Sequence, residues 1–180
     1  MATATKLVTA DEFLRLPSSR WSELIDGVVV EMSPPNSEHG GNQATVIRVL
    51  GRAQDLGAGR VVGELGCIIR RNPDAVRAPD VAFILRERIP SSGLPRAFWE
   101  GGPDLAVEII SPHDRPGEVQ TKIREWIEAG SRQVWVLYPE TKTIHVVRSL
   151  QDRVTLGGDE TLDGGDAVPG FSCRVSELFA

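Results

Sequence analysis

Apolar residues between Ser37 and about Leu56 recur at helical intervals. Val46, Val49, Leu50, Ala53 and Leu56 follow the i, i+3, i+4, i+7, i+10 rule and form one stripe. At about 100° per residue, His39 and Asn42 continue that stripe into the first turns and are expected to face a sheet. Gly57-Ala-Gly59 ends this helix. A second helix is predicted over Arg115 to Ala129, with Val119, Ile123, Trp126 and Ile127 on its apolar face. Lys122 lies on the flank of that face, so its stem can follow the core while its ammonium reaches the sheet edge. Between the helices the pattern changes to apolar runs bounded by turn residues. Arg60 to Arg70, Val76 to about Leu85 and Leu105 to Ile110 read as three strands, with Asn72-Pro-Asp74 as the turn between the first two. Gln133 to Tyr138 reads as a buried strand that pairs with Thr143 to Val147 across the turn Pro139-Glu-Thr-Lys142.

The flanks are equally legible. Thr9 with Glu12 three residues on is a capping box, opening a short helix that Pro17 stops after Leu16. Glu23 to Met32 reads as a hairpin around Asp26-Gly27, which Ser33-Pro-Pro-Asn36 breaks. Turns are expected at Gly157-Gly158 and Gly164-Gly165, and a last short helix near Val175 to Phe179. Arg86 to Gly102 is a long loop rich in Pro, Ser and Gly; Phe98 and Trp99 either pin it down or form a contact surface. The order from Ser37 onward is helix, three strands, helix, strand. That is a mixed α/β (α+β) sheet with two long helices packed on it, and the strand–helix–strand from Leu105 to Tyr138 is a natural βαβ crossover.

Composition narrows the classes. The 180 residues are 41% hydrophobic and 25% charged, which suits one globular domain spanning 1–180. A net charge of -5 excludes the broadly basic footprint of an obligate nucleic-acid binder, though not a local basic patch. Cys67 and Cys173 lack CxxC spacing and are expected to be buried free thiols in a reducing compartment. Met1 to Thr9 holds no long apolar run and no window approaches the ~18 consecutive apolar residues of a membrane span. A soluble cytoplasmic protein is expected. No GxSxG, Walker loop, Rossmann fingerprint or HExxH occurs, so esterase-type, NTPase, dinucleotide and zincin readings lack support.

Two acids depart from the apolar pattern in the same way. Asp80 lies inside Ala78-Pro-Asp-Val-Ala-Phe-Ile-Leu85, and Glu108 inside Leu105-Ala-Val-Glu-Ile-Ile110. A buried ionised carboxylate is costly unless it is paired or binds a metal. By strand alternation Asp80 shares a face with Ala82 and Ile84, and Glu108 with Ala106 and Ile110. If the strands are neighbours in register, the carboxylates converge, and two anions in a low-dielectric crevice raise a pKa or recruit a hard divalent cation. Mg²⁺ or Mn²⁺ there would polarise a phosphate and activate water, with Lys122 stabilising developing charge. On spacing alone a structural role also fits, Asp80 capping the turn after Pro79 and Glu108 pairing with an arginine. Other residues stay open in the same way. Glu64 is a supporting acid or a solvated strand carboxylate. Arg70, Arg71 and Arg77 are a phosphate-contacting patch or ordinary solvated arginines. His113 and Asp114 line the mouth of the site or merely begin the helix. Glu23 and Asp26 fit hairpin structure, and His145 a surface strand position.

Pro79-Asp80, Glu108 on a later strand, and a lysine on the next helix resemble the PD-(D/E)xK nuclease superfamily. Glu23-Leu-Ile-Asp-Gly27, Arg77-Ala-Pro-Asp-Val81, Asp104-Leu-Ala-Val-Glu-Ile-Ile-Ser-Pro112 and the stretch from Lys122 to Pro139 are, more closely, similar to the Uma-type (Uma-two) restriction-endonuclease-like family of bacteria. The resemblance implies a restriction-endonuclease-like fold and a metal-dependent endodeoxyribonuclease, in which a metal-bound water attacks the scissile phosphate. It implies Asp80, Glu108 and the backbone carbonyl of Ile109 as ligands of Mg²⁺, with Mn²⁺ able to substitute. The superfamily lysine stands two residues after the acid, where this chain has Ile110; the resemblance assigns that role to Lys122. It assigns an assisting role to His39 in the first core helix, a position that also suits a helix-start histidine held by a neighbouring carboxylate. DNA is the expected partner. A homodimer is expected too, because paired sites commonly cut both strands, with Trp21, Phe98 and Trp99 as candidate contact aromatics. The competing function is a non-catalytic nucleic-acid or protein interaction module that retains the fold, favoured by the Arg86–Gly102 loop and the acidic surface.

Overall fold

The computed structural model describes residues 7–112 and 114–180. The capping box at Thr9 is formed, Glu12 N–H donating to the Thr9 hydroxyl and Thr9 N–H to the Glu12 carboxylate, and it opens α1 (Ala10–Leu14). After a short 3₁₀ turn (Pro17–Trp21), β1 (Ser22–Ile25) and β2 (Val28–Glu31) make the expected hairpin. Its two-residue turn has positive φ at both Asp26 (51°) and Gly27 (75°), the backbone twist that matches paired strands. Then come α2 (Ser37–Asp55), β3 (Gly59–Gly63), β4 (Cys67–Arg70), β5 (Ala75–Arg77) and β6 (Val81–Leu85). A 3₁₀ turn (Arg86–Arg88) precedes β7 (Trp99–Glu100), β8 (Leu105–Ile109), α3 (Pro116–Glu128) and β9 (Gln133–Tyr138). The tail adds β10 (Thr143–Val147), β11 (Arg153–Gly157), β12 (Thr161–Asp163), β13 (Ser172–Arg174) and a last 3₁₀ turn (Val175–Phe179).

The core order of helix, strands, helix, strand holds, with one correction. The expected strands Arg60–Arg70 and Val76–Leu85 each break in the middle. β3 pairs with β6 in a six-stranded sheet of order β11-β10-β9-β8-β6-β3, whereas β4 pairs with β5 in a five-stranded sheet of order β2-β1-β5-β4-β7. One long hairpin therefore bends from one sheet into the other. The bend falls at Glu64, which takes a positive φ of 49°, and at Pro79, which has no N–H to give a ladder. Asp80 sits at this bend. Its carbonyl accepts from Gln43 Nε2 (2.8 Å) and from the Glu64 N–H (3.2 Å) instead of from a ladder partner.

The two long helices cover opposite faces of the six-stranded sheet. Val46, Val49, Leu50 and Ala53 of α2 pack with Val81, Phe83, Leu105, Val107 and Ile109. Val119, Ile123 and Trp126 of α3 pack with Ile84, Ala106, Val134 and Val136. Strand alternation thus sends the odd residues of β8 to α2 and the even ones, Glu108 included, to α3. Leu56 leaves the predicted stripe: it is 76% exposed, because the helix closes at Asp55 and Ala58 N–H turns back to the Ala53 carbonyl. A smaller core of Ala10, Phe13, Leu24, Ile68 and Val76 lies under the five-stranded sheet.

The Arg86–Gly102 loop is pinned rather than free. β7 adds to β4 in parallel, Trp99 is buried with Arg88 over its ring at 5.3 Å, and Phe98 stacks on Phe13 at 5.7 Å. Buried Asp104 bonds Leu85 N–H (2.9 Å) and pairs with Arg88 and Arg132 at 3.2 Å each, fixing the loop's return into β8. Of the three aromatics expected at a contact surface, Trp21 alone is exposed, at 53%. Cys67 and Cys173 are buried free thiols; burial pushes the first up to about 12 and the second to about 11. Among the described residues no helix is long and apolar enough to cross a membrane.

Candidate active site

Sheet register brings the two acids together. β6 and β8 pair antiparallel with Val81 opposite Val107 and Ala82 opposite Ala106, so Asp80, just before β6, and Glu108, just after Val107, lie at the same end of this strand pair. At the strand end Asp80 is within reach of both helices' side of the sheet. His39 Nε2, from the first turn of α2, lies 3.0 Å from Asp80 Oδ1, and the Ile109 N–H donates to Asp80 Oδ2 at 2.6 Å. Asn36 caps α2 by accepting from the His39 N–H at 2.8 Å, which fixes where the imidazole starts.

Glu108 is 4% exposed and held from α3. Lys122 Nζ donates to Oε2 at 3.0 Å and Trp126 Nε1 to Oε1 at 2.7 Å. These two donors are four residues apart and so share one helix stripe. Ile110 also faces α3 and packs, partly buried, against the Ile123 and Trp126 core. The position expected to carry lysine is therefore apolar, and the ammonium arrives from the helix that covers it.

The charges are strongly interdependent. Burial pushes the Glu108 carboxyl up; Lys122 opposes this and the Asp80 charge adds to it. Lys122 rises well above the ordinary lysine range, chiefly through Glu108, with Glu23 and Asp80 adding to the pull. It is a fixed cation at neutral pH. His39 is raised by its hydrogen bond to Asp80, partly offset by burial.

The donor set suits a hard divalent cation. It consists of two carboxylates and, by strand geometry, the Ile109 carbonyl, which points to the same edge as the N–H that holds Asp80. Among the described residues no three His, Cys, Asp or Glu side chains converge as a ready-made metal cluster. The protein's share would then be two side chains and a main-chain oxygen.

Sequence reasoning missed the outer part of the site. Arg77 lies buried between Glu23, to which it is paired by NH1, and Glu125, at 3.0 Å from Nε. Glu23 is 6% exposed, so it is more than a hairpin residue. Nothing in the local pattern of β1 marks it, apart from a carboxylate next to Leu24 and Ile25. Gln43 and Trp126 also went unread as polar partners. Of the three arginines left open between a phosphate-contacting patch and ordinary solvated residues, Arg70 pairs with Asp26, Arg71 with Asp74 and Glu100, and Arg77 as above. Glu64 points to solvent. Asp114 closes a turn by accepting from the Ser111 N–H at 2.6 Å, and His145 lies on β10 against Tyr138 (4.6 Å between rings). His113 lies outside the described residues.

The chain as a whole matches a known family and a known structure. A crystal structure, at 1.96 Å resolution, described as that of "a putative nuclease belonging to DUF820" from Anabaena variabilis ATCC 29413 superposes with a TM-score of 0.81. The two chains are 25% identical, and the alignment covers 96% of this chain and 97% of that one. Among curated proteins none matches. The model of the Uma2 family, described as "Putative restriction endonuclease", matches residues 10–176, a span that holds Glu23, His39, Asp80, Glu108, Lys122 and Trp126. This chain belongs to the Uma2 family.

Proposed function

We propose that the chain is a divalent-cation-dependent DNA endonuclease that hydrolyses phosphodiester bonds. The observation that carries the reading is that Asp80 is held by the N–H of Ile109, the residue after Glu108, which brings the two carboxylates to one end of β6 and β8, with the ammonium of Lys122 3.0 Å from Glu108. Asp80, Glu108 and the Ile109 carbonyl would hold the cation, Mg²⁺ with Mn²⁺ as a substitute. When bound, it supplies Lewis acidity toward a phosphate oxygen and acidifies water at neutral pH. Lys122 stays protonated, so its role is electrostatic: it offsets negative charge that develops on the phosphate, and it does so from a position already oriented by Glu108. His39, protonated more readily than a free histidine, holds a proton at Nε2 against Asp80 Oδ1 at the open side of the site.

Plasmid nicking with Mg²⁺ or Mn²⁺ tests this. The wild-type chain should nick supercoiled DNA, and Asp80→Ala and Glu108→Ala should each lower the rate by about 10²-fold or more. Equal rates in either variant remove these residues from the chemistry. No nicking by wild type, together with no thermal shift on adding either cation, overturns the reading.

A further inference from the structure

The two carboxylates are held alike. One oxygen of each receives an N–H that the fold cannot easily move: the Ile109 backbone N–H on Asp80 Oδ2 (2.6 Å), and the buried Trp126 indole N–H on Glu108 Oε1 (2.7 Å). The other oxygen of each faces a side-chain cation on a longer, more adaptable tether, His39 at Asp80 Oδ1 and Lys122 at Glu108 Oε2, both 3.0 Å. We infer that Trp126 is a positioning residue, its indole N–H anchoring Glu108 Oε1 so that Oε2 alone is presented to a divalent cation, as Ile109 N–H leaves Asp80 Oδ1. This rests on the reading of Asp80 and Glu108 as ligands.

The bond is more than incidental satisfaction of a core indole. Trp126 is 1% exposed and its N–H meets an ionisable group, giving a charge-assisted bond that directs the acceptor. Buried Trp135 donates instead to a neutral amide, Gln133 Oε1 at 2.9 Å, and buried Trp99 Nε1 has no partner at all among the described residues. Trp126 and Lys122 stand four residues apart on α3, so one helix stripe assigns the two oxygens of Glu108 to different donors. Outer partners of this kind orient a ligand and govern affinity for the ion.

The test compares wild type, Trp126→Phe and Trp126→Tyr in two measurements. Mn²⁺ titration calorimetry should show about 10- to 100-fold weaker binding for Trp126→Phe, the range for loss of a ligand's outer partner. Trp126→Tyr, which keeps a donor, should bind more tightly than Trp126→Phe. Equal Mn²⁺ affinity of folded Trp126→Phe and wild type overturns the inference, and so does equal weakening in both variants, which is what lost packing alone produces. If wild type itself binds no Mn²⁺, the ligand reading fails separately. The metal-free crystal structure of Trp126→Phe then decides the anchor: a Glu108 carboxylate turned from its Lys122 contact supports it, and an unmoved one overturns it.

Discussion

His39 and Asp80 face each other at 3.0 Å, and the direction of the histidine's shift sets a pH dependence. A histidine whose pKa is raised on folding stabilises the fold in its protonated form. That contribution is complete below the ordinary value of 6.5 and disappears as pH rises through the higher folded value. His39→Ala should therefore lower the unfolding free energy by about 1 kcal/mol near pH 5 and by much less near pH 9. Urea titrations at the two pH values measure this. An equal loss at both would mean that the imidazole acts by packing and not by charge. The pairing itself was half legible: the helical period placed His39 toward the sheet, but Asp80 lies 41 residues away and no local pattern names it as the partner.

At the scale of elements, the hairpin β3–β6 depends on close backbone approach. A Cβ added at Gly59 would lie 2.1 Å from the Ile84 carbonyl oxygen, which is held in the ladder and cannot yield cheaply. At Gly63, on the same strand, the nearest atom would be Ile47 Cδ1 at 3.4 Å, an ordinary contact. Gly59→Ala should cost about 2 kcal/mol or more, because the strand pair must separate or shift. Gly63→Ala should change stability by less than about 1 kcal/mol. Thermal unfolding of the two variants side by side checks the contrast, and similar melting temperatures would show that the ladder relaxes around Gly59. The strands themselves were readable from apolar runs and Gly/Pro punctuation. Their division between two sheets was not, since a straight and a bent strand have the same alternation; only Pro79 hinted at the break.

For the molecule as a whole, Arg77 ties the five-stranded sheet to the helix that carries Lys122. It is buried between Glu23 of β1 and Glu125 of α3. Removing one member of a buried ionic group leaves the others charged without a partner, which costs more than the group contributes in net terms. Arg77→Met should destabilise the chain by about 3 kcal/mol or more. Adding Glu23→Gln and Glu125→Gln to it should restore much of that loss. Urea unfolding of the single and triple variants measures both. A triple variant no more stable than the single one would assign the loss to the missing arginine stem and not to stranded charge.

From the chain alone came the two long helices, the Asp26-Gly27 hairpin turn, the main apolar runs of the core strands and the α3 face of Glu108. Those features arise from residues within a few positions of one another, through capping, turn chemistry and the 3.6 and 2.0 periodicities. The sequence also pointed, through Glu23–Gly27, Arg77–Val81, Asp104–Pro112 and the stretch from Lys122 to Pro139, to the family to which the chain belongs. Tertiary structure alone decided the rest. The approach of Asp80 to the Glu108 end of β8 comes from pairing β6 with β8, the bend at Asp80 from two sheets sharing one hairpin, and the hold on Glu108 from α3 packing over it. Arg77 and Glu23 are 54 residues apart in the chain. Such contacts have no local signature, because they depend on which apolar faces meet and on where burial makes a charge need a partner.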